Sequence, residues 1–320
     1  MRKLLLCGAL CALLSVPAQA GKPVTAEVGK GWSQDDKLPK QPVAFPGGVV
    51  AVPDLTYATI PGYRALKLDI YHKQGAKDRP LILYIHGGGW AVGNSRGLAA
   101  FADFPAVLAD LAARGYAVAA VNYRLKGEAI FPAQSQDVDA AIRWLRANAG
   151  TYGIDPKRIG VFGDSAGGHL TAMAAVDCDR SVAVEKGDCV QVAVPWYGIY
   201  DFTVTDKPRP PEDFKPIHDF LGCKDAADCV EEIKAVGPIN HVDAKTPPFL
   251  LLHGELDAAV PPIQAKVMLD KLKSVGAPAR MVIYPGVNHG WMAQDVELMR
   301  STHVRALQDT VDFFDEVLKP

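Results

Sequence analysis

Residues 158–175 read RIGVF-GDSAGG-HLTAMAA. The first five residues are the compact apolar run of a strand buried on both faces. The last nine form helix with small side chains, and between them the chain must turn sharply. Gly163 and Gly167 flank a turn in which backbone is strained and neighbouring chain comes close. Ser165 stands at the apex. A second G-x-S-x-G occurs at residues 93–97, GNSRG. It follows WAV rather than a strand, so it reads as a glycine-rich loop and Ser95 as a coincidence of pattern.

Outward from that turn, strands and helices take turns along the chain. LKLDIY (66–71) alternates as a half-buried strand does. PLILYI (80–85) and YAVAAVNY (116–123) are short apolar runs of buried strands, and VQVAVPWY (190–197), PFLLLH (248–253) and ARMVIY (279–284) are the later strands. Helical spacing occupies 98–114, 135–149, 262–275 and 295–318. The alternation predicts an α/β fold: a mostly parallel central sheet with helices on both faces. Functional residues in such sheets collect beyond the carboxyl ends of the strands. Residues 202–247 break the rhythm with DKPRPPEDFKP and no clean strand, which predicts a small lid insertion over those ends. Residues 21–63, rich in Gly and Pro, predict an extended N-terminal arm, and the main domain spans 64–320.

The first 20 residues, MRKLLLCGALCALLSVPAQA, join a basic start, an apolar run and small residues at Ala18 and Ala20. That is the anatomy of a secretory signal peptide, so the chain is expected to be exported to a periplasm or beyond the cell. Cys178, Cys189, Cys223 and Cys229 then remain, an even number in an oxidising compartment. Four cysteines allow three pairings. Short loops favour Cys178–Cys189 and Cys223–Cys229. A zinc site is the competing reading, but no CxxC or His cluster accompanies them. A net charge of −2 without a basic cluster gives no argument for a nucleic-acid or anionic-membrane partner, and neither is expected.

A serine is a weak nucleophile until a base takes its proton, and that base needs an orienting carboxylate. FLLLHGELDAAVP places Asp257 just past a buried strand, with Glu255 as a rival two residues earlier. VIYPGVNHGW places His289 just past the next strand. His72, His218, His241 and His303 lie away from such ends or in the insertion. LYIHGGGW (83–90) ends a strand in bare backbone, where amides can face a developing oxyanion. Gly88, Gly89 and Ala166 are the expected donors, with His86 bracing the loop. A phosphate loop is the alternative, but the Lys-Ser/Thr that should follow is missing. Trp90, Tyr123, Trp196, Tyr197 and Trp291 all fall near strand ends. They are expected to line a substrate pocket, against the plainer reading that they are core.

HGGGW, NYRL…FPA, YGIDPKRIGVFGDSAGGHL, LLHGELDAAVPP and YPGVNHGW, taken together, resemble the α/β-hydrolase carboxylesterases over about residues 65–315. Among these the bacterial feruloyl-esterase or acetyl-xylan-esterase-like group is closest, with the hormone-sensitive-lipase-type esterases a little further off. The resemblance implies the α/β-hydrolase fold, ester substrates and an acyl-enzyme mechanism without metal or cofactor. It carries the catalytic positions to Ser165, Asp257 and His289 and the oxyanion motif to His86–Gly89. The expected partner is a small-molecule or polysaccharide-linked ester with a short or aromatic acyl group. Formamidases, prolyl-peptidase domains and lipases of the same superfamily keep the triad and change the acyl or leaving group. The Pro-rich insertion and the local cysteine pairs depart from the family pattern.

Overall fold

A computed structural model describes residues 41–98, 101–204, 215–224 and 229–319. The expected leader at 1–20, the arm up to residue 40 and residues 205–214 of the insertion lie outside the described residues.

In chain order the strands are β1 (Val43–Phe45), β2 (Val49–Ala58), β3 (Leu66–Lys73), β4 (Arg79–Ile85), β5 (Ala117–Val121), β6 (Ile154–Asp164), β7 (Val192–Trp196), β8 (Phe249–Gly254) and β9 (Ala279–Tyr284). The helices are α1 (Phe104–Ala113), α2 (Ala133–Ala147), α3 (Ala149–Tyr152), α4 (Ala166–Val176), α5 (Lys215–Leu221), α6 (Val230–Val236), α7 (Ile263–Ser274) and α8 (Val296–Leu318). The strands form one sheet in the order β1-β2-β3-β5-β4-β6-β7-β8-β9. Pairing is antiparallel from β1 through β3 to β5 and parallel from β5 to β9.

Alternation along β4 shows how the layers are made. Leu81, Leu83 and Ile85 face a core shared with Val138, Ile142 and Leu145 of α2, Leu170 of α4 and Met268 of α7. Ile82 and Tyr84 face the other core, with Phe104 and Leu108 of α1 and Phe314 of α8. A period of two sends successive side chains to opposite faces, and both faces are covered. Among the described residues no helix is long and apolar enough to cross a membrane.

Within the expected arm, residues 43–58 join the sheet as β1 and β2. Pro53 and Asp54 sit where the β2–β3 register shifts, and Asp54 has φ +56°. A bulge there accommodates a proline that cannot donate to the ladder and interrupts the two-residue period. Helix α1 begins at Phe104 rather than residue 98, because the Asp103 carboxylate caps the Ala106 amide at 3.1 Å. The insertion between β7 and β8 contains α5, α6 and a short 3₁₀ turn (Pro238–Asn240). The structure joins Cys178 to Cys189 and Cys223 to Cys229, with Cα–Cα separations of 5.0 and 5.8 Å.

The direction of winding changes at β4. From it the chain crosses to β5 on one side, then returns past it to β6 on the other. The loops that leave β4 and β6 therefore open a crevice at neighbouring strand ends, where ligands of open α/β sheets are held.

Candidate active site

Strand β6 delivers Ser165 and α4 begins with the next residue. Ser165 has φ +54° and ψ −116°, a strained conformation for a side chain with a Cβ. Tight neighbours enforce it. A Cβ at Gly163 or Gly167 would run into the Ile85 carbonyl of β4, so only glycine lets the elbow nest against that strand. Ser165 N–H donates to the Trp196 carbonyl at 2.9 Å, which pins the turn to β7.

Three strands converge on this serine. The His289 Nε2 lies 2.9 Å from Ser165 Oγ, and its Nδ1 lies 2.8 Å from Asp257 Oδ2. Asp257 comes from the β8 loop and His289 from the β9 loop. The Asp257 Oδ1 accepts the amides of Ala259 at 3.0 Å and Val260 at 2.8 Å. Burial alone would raise this carboxyl, but hydrogen bonds from His253 and His289, the His289 charge and the Val260 amide together hold it at about 2. Asn288 fixes the histidine loop, its Oδ1 accepting the amides of His289 at 2.7 Å and Ala258 at 3.0 Å. Such a chain leaves the imidazole with one nitrogen tied to a carboxylate and the other facing a hydroxyl, ready to take its proton.

Glu255 does not compete for that place, since its carboxylate accepts the Gly286 amide at 3.0 Å. Ser95 is buried in a different network. Its amide donates to Asn122 Oδ1, its Oγ donates to Asp69 Oδ2, and the Asn122 Nδ2 donates to it in turn. Arg96 binds the same Asp69, so GNSRG folds as a polar clasp.

Past β4, Gly88 and Gly89 are exposed and left-handed, with φ +108° and +60°. The Gly88 carbonyl accepts the amides of Ala91 and Val92, closing the turn. Ala166 sits at the first turn of α4, where helix amides attract negative charge. Below the loop, His86 stacks on Tyr123 with centroids 4.3 Å apart, and the Tyr123 hydroxyl donates to the His86 carbonyl at 2.8 Å. Burial pushes His86 down to about 4, so its ring is a neutral brace.

The aromatic expectation is largely corrected. Trp196 and Trp291 pack against each other in the α8-side core, fully buried, and Trp196 Nε1 donates to Thr310 Oγ1 at 2.9 Å. Tyr197, also buried, sets its ring against His289 and Trp291. Tyr123 serves the His86 carbonyl. Trp90 is buried too, stacked on Phe220 of α5 at 4.1 Å. None of the five presents an open face. Strand-end position alone does not say which side of the sheet a ring enters.

Two residues escaped the sequence reading. Asp164, partly buried, accepts from the Tyr84 hydroxyl at 2.9 Å and the Gly87 amide at 3.0 Å, tying the nucleophile strand to the glycine loop. Burial pushes its carboxyl up to about 6 despite those donors and the nearby His289. His253, fully buried behind Asp257, donates through Nε2 to the Val260 carbonyl at 2.7 Å and lies 3.5 Å from Asp257 Oδ2. Asp164 fills an unspecified position of G-x-S-x-G and His253 is one more residue of a buried strand, so the sequence alone offers no signal for either.

The family model described as BD-FAE matches residues 68–272. Esterase LipQ of Mycobacterium tuberculosis is 32% identical over 70% of this chain and 53% of its own. The chain spans about half the length of the curated relatives it matches. Among solved structures, a truncated carbohydrate esterase from gut microbiota superposes with a TM-score of 0.69 at 30% identity, covering 84% of this chain and 96% of that one. A thermophilic esterase of the planctomycete Thermogutta terrifontis gives 0.67 at 26% identity over 85% and 93%. The fold is the α/β-hydrolase fold.

Proposed function

The chain belongs to the BD-FAE family, and we propose that it is a serine carboxylic ester hydrolase in which Ser165, His289 and Asp257 act together. The observation that carries this reading is the continuous Asp257–His289–Ser165 hydrogen-bond chain at a strained elbow beside the exposed Gly88–Gly89 turn. His289 takes the Ser165 proton as Oγ attacks the ester carbonyl. The carbonyl oxygen, now negative, rests on the amides of Gly88, Gly89 and Ala166. The C–O bond to the alcohol breaks and His289 gives the proton to the leaving oxygen. Water then adds to the acyl carbon as His289 takes one of its protons, the bond from that carbon to Ser165 Oγ breaks, and His289 returns the proton to Oγ as the acid leaves.

The substrate reading is a short or aromatic acyl ester, with acetyl or feruloyl groups on plant polysaccharide as the natural source. The likeness to a solved carbohydrate esterase supports it. Export through the leader is part of the same proposal, and two disulfides suit an oxidising compartment.

The test is hydrolysis of p-nitrophenyl esters from acetate to laurate, with methyl ferulate and acetylated xylan, by the native chain and by Ser165→Ala. Turnover concentrated on short or aromatic acyl groups and lost in the variant is expected. Preference for laurate would replace the substrate reading, and activity surviving in Ser165→Ala would end the mechanistic one.

A further inference from the structure

Trp90 raises a physical problem of its own. It follows two left-handed glycines and itself has φ +56°. Glycine adopts that region freely, but a bulky residue there is strained. Its side chain must therefore be held. Phe220 of α5 stacks on one face, and Phe202 lies tilted nearby at 6.1 Å. The indole Nε1–H donates to His169 Nδ1 at 3.3 Å.

His169 stands one turn along α4 from the elbow, and its amide donates to the Ser165 carbonyl at 3.0 Å. The ring is fully buried, edge-on to Trp90, Phe202 and Phe220. Its other nitrogen, Nε2, lies 2.8 Å from the carbonyl of Val236, the last residue of α6. The tautomer follows from the partners. An indole N–H can only donate and a carbonyl can only accept, so Nδ1 carries the lone pair and Nε2 the proton. A doubly protonated ring would set N–H against N–H. A singly protonated His169 thus joins three pieces: the oxyanion turn, the nucleophile helix and the end of α6, whose terminal carbonyls have no partner within the helix.

We propose that His169 is a positioning residue that couples the seating of α6 to the left-handed Trp90 turn, and so to the Gly88 and Gly89 amides. Seated, α6 fixes the Nε2 side of the ring. The ring fixes the indole, and the indole holds the turn in the conformation that presents those amides. The inference rests on the oxyanion role of that turn in the proposed ester hydrolysis.

The experiment uses two variants that remove opposite ends of one hydrogen bond. Trp90→Phe keeps an aromatic ring on Phe220 and deletes the donor. His169→Phe keeps the aromatic cluster and deletes both ring nitrogens. Rates are normalised by active-site titration with an acylating or phosphonylating reagent, so misfolded protein does not count. Displacing catalytic groups by about an ångström costs about 100-fold. Each variant is expected to lose between about 10- and 100-fold in kcat on p-nitrophenyl acetate with KM within about twofold. The double variant loses little more than the worse single one, because both cut the same link.

His169→Gln, whose amide both accepts and donates, should recover part of the loss. In the native chain, ¹⁵N spectra at neutral pH should show His169 protonated at Nε2 and bare at Nδ1, and Trp90→Phe should move its Nδ1 resonance. Normalised kcat within twofold of native in both single variants would overturn the proposal, as would multiplicative losses in the double variant or the opposite tautomer. If the native chain hydrolyses none of the esters, the functional reading fails separately, while the tautomer measurement still decides the link.

Discussion

Replacing Asp257 by asparagine changes one oxygen to an amide nitrogen with almost no change in shape, and the structure dictates the consequence. Oδ1 accepts two backbone amides, from Ala259 and Val260. Turning the new NH2 toward them would leave buried donors facing donors, at about 1–3 kcal/mol for each unsatisfied group. The oxygen therefore stays, and the NH2 takes the place of Oδ2. There it meets His289 Nδ1 at 2.8 Å and His253 Nε2 at 3.5 Å. His289 can accept from that NH2 only with its proton on Nε2, and an Nε2–H facing Ser165 Oγ cannot take a proton from it. The same trapped tautomer costs about 10⁴-fold in kcat in serine-protease triads, about 5.4 kcal/mol of barrier. We expect a loss of that order for Asp257→Asn in steady-state hydrolysis of p-nitrophenyl butyrate, with the thermal midpoint retained as evidence of folding. Glu255→Gln, at a side chain that accepts the Gly286 amide, should stay within about threefold of native. A loss below about tenfold in folded Asp257→Asn, or an equal loss in Glu255→Gln, would refute the reasoning.

Three further outcomes follow from particular contacts. Gly88→Ala forces a Cβ into the Val92 carbonyl at φ +108°, so the turn must shift. A loss of about 10²- to 10³-fold in kcat is expected, as for a lost oxyanion donor, and initial rates measure it. Asp164 sits at about 6 against an ordinary 3.8. A carboxyl raised by folding contributes stability that is present below about pH 4 and lost as pH rises through about 6. Asp164→Asn should therefore flatten the stability profile across that window by at most about 3 kcal/mol, less whatever solvent screens the partly buried group. Denaturant midpoints on either side of the window measure it. Trp196→Phe breaks the bond to Thr310 and should lower stability by about 1–3 kcal/mol with KM unchanged, whereas a residue lining the pocket would shift KM.

The elbow was legible because two demands met in one stretch. A strand buried on both faces must be uniformly apolar, and a serine wedged against its neighbouring strand must be flanked by glycine. Asp257 was legible because it lies just beyond such a strand, and His289 because it follows the next one, the half-exposed edge strand β9, although only their hydrogen bonds separate Asp257 from Glu255. Strands β1 and β2 were hidden because Pro53 and its bulge interrupt the period that marks a strand. Trp196 and Trp291 misled because both faces of this sheet are covered, so a tryptophan at a strand end can enter the far core. Asp164 and His169 were invisible for another reason. Their importance lies in partners 77 and 67 residues distant, the Gly87 amide and the Val236 carbonyl, and no local pattern encodes such pairings.

The most direct measurement is covalent. The native chain is incubated with a sulfonyl or phosphonyl fluoride, which transfers its group fastest to an activated serine, then digested and mapped by mass spectrometry. One adduct per chain is expected, on the peptide carrying Ser165, with its formation tracking the loss of ester hydrolysis and the Ser95 peptide unmodified. An adduct on Ser95, or complete inactivation with Ser165 unlabelled, would contradict the assignment of the nucleophile.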